Sequence, residues 1–493
     1  MRKPLVTLIL AGPLAAALAA CTVGPDFKRP IAETPAQWSP SAATTADQAS
    51  RVTVAAPGDA GAWWAQFNDP ELTSLIQRTA AANLDAKQAV LRISEARAQR
   101  DVAAAAAWPS LDANAGVQVN RLSESTPTGA LFSKVGSIPG LKGVSIPNPY
   151  DQYQLGFDAS WEVDLFGRVR RSVEAAKADT EAQIEDSRAV LITTLGDVGR
   201  AYIDLRGAQA KRQLVVANIA TERDLLDLAA QRRRAGLSSQ VDVVRAAAET
   251  SSAESQLPAL DRQITADINE LSKLMALEPG ALRGELEASE PIPPTPPTVP
   301  IGLPADLARR RPDIREAEAR LHAATARVGV AVANLYPDVT LTAQGGFQSQ
   351  TVPTLANWAS RFLVAGPTVS LPIFEGGRLR ATVRLQDAQA KEAALAYRGA
   401  VLAALHEVDN ALAAYGADQA REVSLAKTVA RNREAVELAR QRYASGVADF
   451  IDVLDAERTL EQNELLLATS STAVSTDLVV LYKSLGGGWA KDG

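Results

Sequence analysis

The chain has 493 residues, a formal net charge of -6, 46% hydrophobic residues and only 5% aromatic ones. No basic excess or aromatic-rich basic surface accompanies that length, so nucleic acid is set aside as a partner. Two histidines, His322 and His406, and one cysteine, Cys21, are too few for a His/Cys metal site, a thiol catalyst or a disulfide framework. The histidines read as helix-surface or packing residues. With no ordered acid-base or nucleophile constellation in view, an enzyme is not expected, and neither is a cofactor.

Arg2 and Lys3 precede an apolar stretch from Leu5 to Leu18, and Leu18-Ala19-Ala20-Cys21 closes it in the manner of a secretory signal. That ending resembles a bacterial lipobox, which makes residues 1–20 a lipoprotein signal peptide and Cys21 the acylated N-terminus. Thr22 follows where lipoproteins retained at the inner membrane usually carry Asp, so the resemblance implies sorting to the outer membrane. Residues 21–60 are rich in Pro, Ser, Thr and Ala without periodicity and read as a lipidated tether.

A first repeat is expected over 61–279. Its helical pattern starts in "WWAQFNDPELTSLIQ", with Asp69 as N-cap before Pro70 at the first helical position, and Pro109 ends it. The period then changes to two. Leu111, Ala113, Ala115, Val117 and Val119 alternate with polar residues, and Tyr153, Leu155, Phe157, Ala159, Trp161 and Val163 do so again, giving a β-hairpin over 110–164. From Arg168 to Arg234 there is no proline, so one helix of about 67 residues, roughly 100 Å at 1.5 Å per residue, is expected. Ala235-Gly236 turns the chain, and Val241 to Leu277 returns as a second helix. Together they form a hairpin of coiled-coil type over 168–277.

A proline-rich connector, 280–303, leads into a second repeat over 304–493 with the same order. Pro337 ends its first helical run. Val339, Leu341, Ala343 and Phe347 alternate in one strand, while Val369, Leu371 and Ile373 close a fourth, giving a β-hairpin over 337–374. Arg378 to Ala444 is again proline-free, Ser445-Gly446 turns, and Ile451 to Leu485 returns, giving a helical hairpin over 378–485. "QRRRAGLSSQVDVVRA" from Gln231 and "QRYASGVADFIDVLDA" from Gln441 align without a gap, which points to internal duplication.

Four amphipathic strands of this kind belong either to a soluble sandwich or to a membrane barrel. Four cannot close a barrel, and an open edge in lipid leaves backbone groups unsatisfied at several kcal/mol each. In a membrane the barrel must therefore be shared: two chains give eight strands filled by side chains, and three give twelve with room for a pore.

These elements carry "VGPDFKRP" after Cys21, then "WWAQFNDPELTSLI", "RRPDIREAEARL" with "NLYPDVTL", and "QRYASGVADFIDVLDAERTL", in that order. The ordered set resembles the TolC-like outer-membrane factors, and most closely the lipidated OprM/NodT branch. The resemblance implies a mixed α and β homotrimer. Four transmembrane strands per chain would join in one 12-stranded β-barrel, and the long helical hairpins would form an α-barrel tunnel through the periplasm. It also implies a role as the outer-membrane channel of a tripartite efflux system, passing drugs or other small toxic compounds from an inner-membrane resistance-nodulation-division pump and a periplasmic adaptor. Outer-membrane lipid is the remaining partner.

By position, the resemblance makes Tyr443 the gate-closing tyrosine, Asp242 its partner, and Asp452 and Asp455 the acidic ring at the mouth. The hairpin tips, Gly236 with Leu237 and Gly446 with Val447, would dock the adaptor. Ala448 stands where some members have an arginine that makes a second tie. Helix chemistry also accounts for the acids, since Asp242, Asp449 and Asp452 lie where N-caps and first-turn acids favour the helix dipole. Two further functions are weighed: a duct for type I protein secretion, which lipidation disfavours, and a periplasmic coiled-coil structural lipoprotein, which the alternating strands disfavour.

Overall fold

The computed structural model describes residues 22–32, 34–38, 52–53, 60–135, 140, 147–296 and 298–487. Cys21 and the signal segment lie outside these residues, as do parts of the tether. The chain is mostly helical with a small antiparallel sheet. It divides into two compact units, the first comprising Ala96–Thr180 and Arg320–Ala393 together with residues up to Lys28, and the second comprising Arg29–Glu95, Glu181–Ala319 and Ala394–Gly493.

The sheet belongs to the first unit. Its strands are β1 (Ser110–Asn120), β2 (Tyr150–Glu162), β3 (Asp338–Ser349) and β4 (Arg361–Ser370), paired antiparallel in chain order. The register places Ala113, Phe157, Gly345 and Leu363 in one row across the four strands, and Leu111, Ala159, Ala343 and Ala365 in another. The opposite face carries Asp112, Asp158, Gln344 and Val364 in one row and Gly116, Gln154 and Gln348 in another. Since side chains alternate along a strand, one face is mainly apolar and the other mainly polar. The apolar face is bare within the chain: Leu111 is 69% exposed, Phe157 58% and Leu363 79%.

The fourth strand corrects the expectation from sequence. It runs Arg361–Ser370 and leaves Leu371 and Ile373 beyond its end. Pro367 lies inside it, opposite Leu341. A proline offers no N–H to a ladder, yet β4 is an edge strand, and its outer side needs no partner within the chain.

In the second unit, α1 (Pro70–Ala82) starts as expected. Asp69 caps it, accepting from the Leu72 N–H at 2.9 Å, and also accepts from the Tyr202 hydroxyl at 2.9 Å. Leu72, Leu75, Ile76 and Thr79 are buried along one face at helical spacing. Two further helices are α2 (Leu84–Ala105) and, later in the chain, Pro312–Ala333. Both proline-free runs are single helices of 67 residues, α3 (Arg168–Arg234) and Arg378–Ala444.

The return from α3 differs from the single helix expected. It is split into α4 (Gln240–Glu254) and α5 (Leu257–Leu274). Pro258 at the second position of α5 cannot donate to the preceding turn and crowds it, so the ladder breaks there. With Pro312–Ala333 as α6 and Arg378–Ala444 as α7, the other return is α8 (Phe450–Ser484), unbroken. Length and composition alone would let α8 cross a bilayer; Val474, Leu478 and Leu481 instead lie in the core of this unit.

That core is built around Trp63, Phe67, Leu72, Tyr202, Leu271 and Leu478. Trp63 stacks on Tyr482 with ring centroids 5.9 Å apart. The helices approach closely at Gly207, where an added Cβ would lie 2.7 Å from Thr472 Cγ2. The proline-rich connector is held by side chains that donate to its carbonyls: Arg206 to Ala288 at 2.8 Å and Ser475 to Pro293 at 3.0 Å. A segment so poor in N–H groups makes few backbone bonds of its own, and buried carbonyls still need donors.

Candidate functional site

Each long helix ends in the same way. Gly236 has φ +74° and Gly446 +73°, a left-handed conformation that only glycine adopts without steric cost. At the first tip the Gly236 N–H donates to Arg233 O at 2.9 Å and the Leu237 N–H to Arg232 O at 2.8 Å. At the second, Gly446 donates to Tyr443 O and Val447 to Arg442 O, both at 3.0 Å. Both are Schellman closures, which satisfy the last helix carbonyls. They leave Leu237 74% and Val447 69% exposed at the tips.

The acids beyond the turns do different things. Asp242 is bound into a capping box: its carboxylate accepts from the Ser239 N–H at 3.0 Å, and Ser239 Oγ accepts from the Asp242 N–H at 3.3 Å. Asp449 occupies the N-cap position of α8 without a side-chain cap bond. Asp452 is exposed, and Asp455, also exposed, accepts from Arg458 at 3.0 Å.

Asp242 and Tyr443 are not brought together within the chain. Tyr443 is buried in a small apolar cluster with Leu225, Ala246, Phe450 and Leu454, and its hydroxyl is buried without a hydrogen-bond partner. What holds it is Arg232. The guanidinium carbon lies 4.1 Å from the centre of the tyrosine ring, and both terminal nitrogens reach the Tyr443 carbonyl oxygen at 3.3 Å. Arg232 was missed by the reading from sequence. It aligns with Arg442 in the repeated stretch, but alignment alone says nothing of a partner 211 positions away.

In the first unit, the residues after Cys21 are fixed. The Val23 N–H donates to Phe166 O at 3.1 Å, and Gly24, at φ +90°, lies so near Gly329 that an added Cβ would be 2.6 Å from its Cα. Asp26 pairs with Arg171, Arg171 with Glu174 at 2.8 Å, and Glu174 with His322 at 3.0 Å. Phe27 stacks on the His322 ring at 4.3 Å. His322 is thus a packing residue, and His406 is exposed on α7.

The outer membrane efflux protein family matches residues 75–277 and 303–487. The chain belongs to this family. It is 32% identical over 476 residues to the solvent efflux pump outer membrane protein SrpC of Pseudomonas putida, covering 96% of each chain. It is 32% identical over 499 residues to the outer membrane protein OprJ of Pseudomonas aeruginosa, covering 99% of this chain and 97% of that one. Nodulation protein T of Rhizobium leguminosarum bv. trifolii is 30% identical over 493 residues, with 99% and 97% covered. Among solved structures, the outer-membrane channel OprN superposes with a TM-score of 0.85 at 33% identity, covering 95% of this chain and 100% of that one. The open state of the Neisseria gonorrhoeae MtrE channel gives 0.81 at 27%, covering 96% and 99%. As a member of the efflux protein family, the chain has the fold of TolC-like outer-membrane channels, and outer-membrane efflux is its function.

Proposed function

We propose that the chain is the outer-membrane duct of a tripartite efflux system, acting as a homotrimer anchored by acylated Cys21. The observation that carries this reading is the four-stranded sheet with one bare, mainly apolar face and unpaired outer edges on β1 and β4. Such a sheet is unsatisfied in lipid until its edges are closed by other copies. Three copies of four strands make twelve, enough to leave an aqueous channel lined by the polar face. The repeated order of strand pair and helical hairpin, taken as an internal duplication, then places six similar hairpins around one axis.

In this reading the exposed tips Gly236, Leu237, Gly446 and Val447 receive the periplasmic adaptor, and an inner-membrane resistance-nodulation-division pump supplies the cargo and the energy. The gate comprises Tyr443 clasped by Arg232, Asp242 holding the start of α4, and the acids Asp452 and Asp455 at the mouth. Arg232 takes the part of the second tie that Ala448 cannot make, and a direct bond between Tyr443 and Asp242 is left to contacts between copies. SrpC is named for solvent efflux, which supports small toxic organic compounds as the cargo class.

Purified protein in a planar lipid bilayer tests the reading. Discrete single-channel conductance from a species that cross-links to three copies is the expected result. A chain that stays monomeric and never conducts would return it to the structural lipoprotein class.

A further inference from the structure

Behind the clasped tips, in the second unit, carboxylates from three helices converge. Glu222 of α3 and Glu461 of α8 lie between two apolar clusters that join α3, α4 and α8, one around Leu225, Ala246 and Leu454 and the other around Ile219, Ala253 and Leu465, and Glu249 of α4 and Glu457 of α8 are further charges acting on both. Glu222 is 2% exposed. Glu222 Oε2 and Glu461 Oε1 are buried without a partner. The facing helix α7 brings Arg440, which donates to Glu457 at 2.6 Å, and Arg433, which pairs with Glu464 at 2.7 Å. Those cations pair with Glu457 and Glu464; the largest charges acting on Glu222 are carboxylates.

Two buried carboxyls in contact do not both ionise, because desolvation and mutual repulsion favour one retained proton, and that proton makes an O–H to oxygen bond between them. We propose that Glu222 and Glu461 form a proton-held clasp between α3 and α8, which lets go as the periplasm turns alkaline. Its link to the gate rests on reading these helices as the periplasmic tunnel.

The direction follows from where the proton is held. Burial first, and then the neighbouring acids, push Glu222 from its ordinary 4.5 up to about 8 and Glu461 up to about 7. Folded values above the unfolded one mean that the packed state binds more protons than the open state between these limits. The contribution is full below 4.5 and is lost as pH rises through about 7 to about 8. Between 4.5 and these raised values the equilibrium for local opening should rise by about tenfold per pH unit for each proton released, and it should level off above them.

The experiment follows amide hydrogen exchange in the full-length protein in detergent, over α3 around Glu222 and α8 around Glu461. Rates are taken from mildly acidic to mildly alkaline pH and divided by the intrinsic rate at each pH. The wild type should show the slope. Glu222→Gln and Glu461→Gln should each flatten it, since an amide keeps a hydrogen bond to the remaining carboxyl at every pH. Glu254→Gln, at an exposed residue paired with Arg223 at 2.6 Å, should keep the slope and so controls for simple loss of charge. Equal slopes in the wild type and in both clasp variants overturn the proposal. If one clasp variant does not fold, the other decides alone. Bilayer conductance over the same pH range reads the link to the gate: the wild type should open as pH rises and Glu222→Gln should not. A protein with the exchange slope that conducts at no pH overturns the tunnel reading and leaves the clasp standing.

Discussion

Arg232 grips Tyr443 twice, through the ring face at 4.1 Å and through the backbone carbonyl at 3.3 Å, so one side chain of α3 ties the last turn of α7. A half-buried cation over an aromatic ring contributes about 0.5 to 2 kcal/mol, and a hydrogen bond from a charged donor about 1.5 to 3 kcal/mol. Arg232→Ala should therefore loosen the tip and, if the tip is the proposed gate, raise the resting conductance of the channel. Tyr443→Phe keeps the ring and the carbonyl and removes a hydroxyl with no partner among the described residues, so it should change little. If Tyr443→Phe opens the channel as far as Arg232→Ala does, the hydroxyl has a partner in another copy, and Asp242 is the residue to test next.

Ion selectivity separates the two acids proposed for the mouth. Asp455 already accepts from Arg458, which offsets part of its charge, whereas Asp452 is exposed on the first turn of α8. Asp452→Ala should therefore account for most of the loss of cation preference, and adding Asp455→Ala should deepen it only modestly, more visibly at low salt. Reversal potentials in a salt gradient measure this. An unchanged reversal potential in the double variant would leave both acids to helix capping.

Close helix contact at Gly207 predicts a stability effect remote from the hairpin tips. An added Cβ would meet Thr472 at 2.7 Å from Cγ2 and nearer still to its hydroxyl. Gly207→Ala should cost about 1 to 3 kcal/mol by overpacking, lowering the thermal midpoint of unfolding. Thr472→Ala in the same chain should recover much of it, because the two changes share one contact. A Gly207→Ala protein as stable as the wild type would show that the helices can part there at no cost.

A second acid pair gives a pH prediction in the main core. Burial, and then its hydrogen-bonded neighbour Asp418, push Asp477 from 3.8 up to about 7. The folded value is raised, so the stability it contributes is present below 3.8 and lost as pH rises through about 7. The wild type should unfold at lower temperature as the pH moves from mildly acidic to mildly alkaline, and Asp477→Asn should flatten that decline. Parallel curves for the two proteins would count against the pair.

Much of the architecture was legible in the sequence because it follows from local rules. Proline-free alanine-rich runs made α3 and α7, alternation made β1 to β3, Asp69 before Pro70 marked the start of α1, and Gly236 and Gly446 marked the tips, each signal acting over a few residues. The fourth strand was placed too late because Val369, Leu371 and Ile373 carry the alternation on past Ser370, where pairing with β3 ends, and the return from α3, expected as one helix, breaks at Pro258. The pairings at the proposed gate lay beyond any local pattern. Arg232 meets Tyr443, and Glu222 meets Glu461, only because α3 packs beside α7 and α8 in one register. A residue type and its spacing say what a side chain can do. Which partner it meets more than two hundred positions away, and whether a carboxyl there keeps its proton, depends on burial that only the packed helices create.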